Sequence, residues 1–133
     1  QVVLFDAMRH VKSQGNDIRD QALDELADRC RRALIITACS VNQMAECTPP
    51  YPDAQARSNF ATAVVSALLG EFGGDRHKAD ARVQQLAKDF GASGLVMASQ
   101  LVEYLNIAMQ QQRPVYLNAS TALADDFTVS TPP

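Results

Sequence analysis

The sequence predicts an all-α protein, a five-helix bundle with short loops and a partly extended C-terminal tail. Three observations lead there. Apolar residues recur at i, i+3, i+4 spacing through five helix-length blocks, residues 2–13, 17–47, 53–72, 75–90 and 93–112. Glycine and proline clusters punctuate the boundaries of those blocks. At 133 residues the chain has the length of one domain and can bury a core without metal or disulfide staples. The expected division is a helical bundle over residues 1–112 and an extended tail or linker over 113–133.

The first block carries Val2, Val3, Leu4, Phe5, Met8 and Val11, with Leu4, Met8 and Val11 on one face, and stops at Gly15-Asn16. Asp17 suits the N-cap of the second block, since its carboxylate can accept from free amides of the first turn. That block is the longest, with Leu23, Leu26, Cys30, Leu34, Thr37, Val41 and Met44 in helical steps. Asp20, Asp24, Glu25 and Asp28 crowd its first turns, where the helix dipole favours negative charge. Arg29, Arg31 and Arg32 follow, and Asp28 with Arg32 has pairing distance along a helix. Thr48-Pro49-Pro50-Tyr51-Pro52 ends the block, because proline cannot continue a helix.

Asp53 restarts the pattern, and Ala56, Phe60, Ala63, Val64, Ala67 and Leu68 make one stripe. Small residues at Ala61, Ala63 and Ala67 allow close approach of a neighbouring helix, and Gly73-Gly74 closes the block. Asp75 is the expected cap of the fourth block, whose face is Ala79, Val83, Leu86, Ala87 and Phe90, with Gly91 and Gly94 as punctuation. Ser93 is the expected cap of the fifth, with Ala98, Leu101, Val102, Leu105, Ala108 and Met109 as its stripe. Arg113-Pro114 breaks that helix. Val115, Tyr116 and Leu117 then suit a short extended segment laid over the bundle, and the remainder is a polar tail. Asn118-Ala119-Ser120 reads as a glycosylation sequon, a motif short enough to arise by chance.

Charge and composition narrow the function. Twelve basic against 15 acidic residues leave a net charge of -3, against nucleic acid as a partner. No apolar run reaches the length that crosses a bilayer, so no membrane partner is expected. The chain starts at Gln1 rather than Met; a leader removed from a secreted protein and simple trimming both account for this. Cys30 and Cys39 point to nearly opposite sides of one helix, about 13 Å apart, too far to bridge. Cys30, Cys39 and Cys47 lack the close-pair spacing of a zinc site and read first as small buried apolar residues, with an intermolecular disulfide as the alternative. His10 and His77 belong to no metal-ligand motif and assemble no Ser–His–Asp or Cys–His order. The glycines of Gly70-Glu71-Phe72-Gly73-Gly74-Asp75 follow a helix rather than a strand, which suits a helix end and not a phosphate cradle. Met8, Met44, Met97, Met109, Phe60, Phe72 and Phe90 lie mostly at core spacing. The residues thus indicate no catalytic group, no cofactor and no metal, and a protein that is not an enzyme.

The layout resembles the N-terminal domains of spider silk proteins, the spidroins. Gln55-Ala-Arg-Ser-Asn-Phe-Ala-Thr-Ala-Val-Val-Ser-Ala-Leu-Leu-Gly-Glu-Phe-Gly-Gly74 is similar to that family's small-residue third helix and glycine turn. Val83-Gln-Gln-Leu-Ala-Lys-Asp-Phe-Gly-Ala-Ser-Gly94 is similar to its fourth helix and the turn after it, and Gln100-Leu101-Val102-Glu103-Tyr104-Leu105 to the acidic part of its fifth. The resemblance implies a five-helix bundle that dimerises as pH drops, through acidic groups on one subunit and a basic group on the other. Glu71 and Glu103 match the acidic positions, Asp24 the acid at the start of the second helix, and Arg57 is the basic candidate.

The expected function is therefore a non-enzymatic self-association module of a secreted, silk-like structural protein. It would form a homodimer or larger homo-oligomer through helix faces and pH-sensitive carboxylates, in an extracellular setting. Two alternatives stand beside it: a helical coat or scaffold subunit of a viral or intracellular assembly, and a helical carrier of a small apolar ligand.

Overall fold

Two short runs, at residues 2–5 and 34–37, decide the architecture. Each strings together four apolar or β-branched residues, a pattern that suits a strand buried on both faces as well as part of a helix. The computed structural model of the chain describes residues 1–5, 18–38, 47–48, 57–72, 77–110 and 112–133, and both runs are strands in it. β1 (Val2–Phe5), α1 (Ile18–Arg29) and β2 (Leu34–Thr37) form a β-α-β unit, with the strands parallel and in register from Val2↔Leu34 to Phe5↔Thr37. A parallel pair needs a crossover of this length, and α1 supplies it.

β3 (Cys47–Thr48) and β4 (Arg57–Ser58) make a two-residue antiparallel ladder. The chain passes straight from β4 into α2 (Asn59–Leu68), whose cap is Ser58, its hydroxyl accepting from the Ala61 N–H at 3.2 Å. α3 (Ala81–Ser93) starts on Asp80, which accepts from the Arg82 N–H at 2.9 Å, and stops on Gly94 in the left-handed region. β5 (Val96–Met97) leads into α4 (Ala98–Ala108). β6 (Val115–Leu117) then returns to pair antiparallel with β2, giving the sheet order β1-β2-β6. α5 (Ala119–Ala122) follows, and β7 (Thr128–Ser130) pairs antiparallel with β5.

The core lies between the central strand and the helices. Leu34, Ile35 and Ile36 are wholly buried, and Phe60, Ala63, Val64 and Ala67 of α2 pack into the same cluster as Leu101, Tyr104 and Leu105 of α4 and Val83 and Leu86 of α3. Each fully buried Leu, Ile or Phe contributes about 1.5–3 kcal/mol relative to exposure. Phe72 stands edge-on to both Phe90 and Tyr104, with centroids 6.3 and 5.5 Å away.

The fold is thus mixed α/β, with five helices and seven strands among the described residues, and the expected all-α five-helix bundle is corrected. Residues 2–5 are a strand and not the start of a helix. The long second block divides into α1, a turn and β2, because Leu34, Ile35 and Ile36 gain more from lying between two strands than from prolonging a helix. The third, fourth and fifth blocks do hold helices, α2, α3 and α4, with most of the expected faces inward; in the fourth, Val83 and Leu86 are buried while Ala79 and Ala87, expected on the same face, are exposed. Their ends differ from expectation. Ser93 closes α3 instead of capping α4, and Gly91 lies inside α3. Asp126 takes the capping role at α4, accepting from the Ser99 N–H at 3.1 Å and from its hydroxyl, while Gln100 accepts from the Met97 N–H at 2.8 Å. Asp17, Asp75 and Gly73-Gly74 lie outside the described residues. So do Met8, His10, Cys39 and Met44. Cys30 is an exposed free thiol in the turn after α1 and not a buried apolar residue.

Residues 113–133, expected as a tail or linker, supply β6, α5 and β7. Side-chain amides tie both ends of β6 to the β-α-β unit. Gln112, buried, donates to the Ala38 carbonyl at 2.7 Å. Asn118, left-handed at φ 61°, donates to the carbonyls of Ala27 at 2.9 Å, Cys30 at 3.1 Å and Ala33 at 3.4 Å. It therefore caps the end of α1 and the following turn from 85–91 residues away. Its amide nitrogen, which a glycan would need, is already engaged. Ser130 donates to the Leu68 carbonyl at 2.6 Å and fixes β7 to the end of α2.

Candidate functional site

α2 carries two different faces. Phe60, Ala63, Val64 and Ala67 are buried in the core, as helical spacing requires. On the outer side, Ala61, Thr62 and Val65 are exposed, and Leu69 continues the row just past the helix. Val65 is 54% exposed and Leu69 48%, the two most exposed large apolar residues among those described. They stand about one helical turn apart and are flanked by a methyl and a hydroxyl rather than long charged chains, so a second helix can approach closely.

Residues of opposite charge precede and follow α2 in the chain. Arg57 lies in β4, two positions before α2, and Glu71 lies two positions after the C-cap Leu69, exposed. The structure thus sets two of the four expected association residues at opposite ends of one helix. Asp24 is exposed on α1, and Glu103 is exposed midway along α4. The charge of Glu103 helps hold the Arg82 guanidinium protonated, behind the larger effects of the Asp80 hydrogen bond and charge. The four residues do not form one cluster. The signal that singles out α2 is the row Ala61, Thr62, Val65 and Leu69, of which the sequence reading weighed only Ala61 for close approach.

A groove of about 480 Å³ opens beside the end of α4, lined by Asn106, Met109, Gln110, Arg113 and Pro114. The Asn106 side-chain Oδ1 accepts from the Tyr116 hydroxyl at 2.8 Å, and burial pushes the Tyr116 phenol above its ordinary range, so it stays a neutral donor. A guanidinium and two carboxamides beside Met109 and Pro114 make a mixed lining, unlike the mostly apolar one that a carrier of a greasy ligand needs. The described lining residues offer hydrogen-bonding groups. Among the described residues no group of three His, Cys, Asp or Glu converges on a metal position, and His77, partly exposed, sits in the turn before α3. No described helix is long and apolar enough to cross a membrane.

No family model, no curated protein and no solved structure matches the chain.

Proposed function

We propose that the chain is a non-enzymatic self-association module, in which two copies meet through the outer faces of α2. The supporting observation is the apolar row on that face, Val65 and Leu69 with Ala61 and Thr62 beside them, on a helix already anchored by its other side. A two-fold pairing presents the same patch from both copies. With the helices antiparallel, Arg57 of one copy comes to the end where Glu71 of the other lies, so both ends of the contact gain opposite charges. The five-helix bundle behind the silk-like and helical-assembly readings is replaced by a mixed α/β fold, and self-association rests instead on this one helix.

A contact that uses the Glu71 charge weakens with salt, as exposed ion pairs do. Size exclusion with light scattering, at low and high salt, tests this. A concentration-dependent dimer is expected, less populated in high salt. Val65→Lys with Leu69→Lys should shift dissociation at least 100-fold. Arg57→Glu should weaken the dimer, and adding Glu71→Arg should restore it. A monomer up to millimolar concentration, or a dimer indifferent to the Val65 and Leu69 substitutions, overturns the reading.

A further inference from the structure

The short connection between α4 and β6 is held at three points. At its start the Met109 N–H donates to the Leu105 carbonyl at 2.9 Å, closing the last turn of α4. Next, buried Gln112 is fixed on the Ala38 carbonyl just past β2. At its end Val115 pairs with Thr37 in the sheet. The groove beside this connection is thus bounded by anchored chain, and its volume of about 480 Å³ is in the range of small-molecule sites.

The lining is rich in donors. The Tyr116 hydroxyl donates to Asn106 Oδ1, which orients that carboxamide and leaves its two N–H groups to offer. Arg113 brings a planar fork of five N–H donors and no acceptor, and it carries the single charge among the described lining residues. Gln110 can present either end of its carboxamide. All three are exposed, while Met109 is buried and Pro114 half-buried, so the polar groups lie nearer solvent than the apolar ones.

We propose that this groove binds a small carboxylate that also bears an amide and a short apolar side chain: an N-acylated amino acid, or the same group at the C-terminus of a peptide. Arg113 takes the carboxylate, whose two oxygens match the guanidinium fork. Asn106 and Gln110 take the amide, and Met109 and Pro114 the apolar side chain. The site shares no residue with the α2 contact.

Nitrogen–proton NMR spectra of the intact chain, titrated with N-acetyl-leucine, test it. Saturable shifts are expected at Asn106, Met109, Gln110 and Arg113, at millimolar concentration or below. N-acetyl-leucine amide, which lacks only the charge, should bind at least tenfold more weakly, and so should acetate, which lacks the apolar body. Arg113→Gln should weaken binding at least tenfold. Asn106→Asp, which still accepts from Tyr116 but repels a carboxylate, should abolish it. Both side chains are exposed, and an otherwise unchanged spectrum would show that the fold is kept. A hexapeptide ending in leucine separates the two sources: retained binding assigns the site to a polypeptide end, lost binding to the free acid. Absence of saturable shifts at the lining residues, equal binding of acid and amide, or binding indifferent to Arg113→Gln overturns the proposal.

Discussion

At Gly70 the backbone is left-handed, φ 73°, and an added Cβ would overlap the Phe90 ring, with Cδ1 at 2.7 Å. Phe90 cannot simply turn away without losing its edge-on contact with Phe72. Gly70→Ala is therefore expected to destabilise by about 2–3 kcal/mol, roughly 1 from the backbone conformation and the rest from crowding. Thermal or urea denaturation measures it. In a Phe90→Leu background the cost should fall to about 1 kcal/mol; an undiminished cost would remove Phe90 from the explanation. The sequence reading placed the closing glycines at Gly73-Gly74, yet among the described residues the left-handed turn belongs to Gly70. A cluster of glycines marks the turn, but the identity of the strained one depends on which aromatic ring packs over it.

At the scale of the element, α3 rests on its cap. The side-chain hydrogen bond from Arg82, followed by that residue's backbone N–H, holds the Asp80 carboxyl below its ordinary 3.8. That side-chain bond is bidentate, with guanidinium contacts at 3.2 and 3.0 Å. A lowered folded-state value means stability that is present above pH 3.8 and lost as pH falls through the lower folded value. Acid titration of stability should thus show an Asp80-dependent loss below about pH 4, absent in Asp80→Asn. An identical acid profile in that variant would assign the loss elsewhere. The inward faces of α2, α3 and α4 were legible in advance, since Phe60, Ala63, Val64, Ala67, Val83, Leu86, Leu101 and Leu105 follow local periodicity and are all buried. The helix ends were not, because Asp126 caps α4 from 27 residues away.

For the whole molecule, the sheet is closed by contacts that span most of the chain. β6 pairs with β2 across α2, α3 and α4 in the chain, and Asn118 locks it to the end of α1. Asn118→Asp would turn a donor into a carboxylate facing three carbonyls. It is expected to cost about 2–4 kcal/mol, with amide protection lost together in α1 and β6. Loss confined to the loop around residue 118 would show that the bridge is local. Of the association residues, Arg57 and Glu71 were legible as charges of opposite sign, but their shared helix emerged only when α2 proved to run between them.

The sequence by itself determined where helices α2, α3 and α4 lie and which of their sides turn inward, because amphipathic spacing is a local property that each segment carries alone. Tertiary structure decided the fate of residues 2–5 and 34–37. Their short apolar runs suit either backbone form; pairing across about 30 residues sets residues 2–5 along one side of residues 34–37 and β6 along the other, which pairs the amides and carbonyls of the central strand while burying Leu34, Ile35 and Ile36.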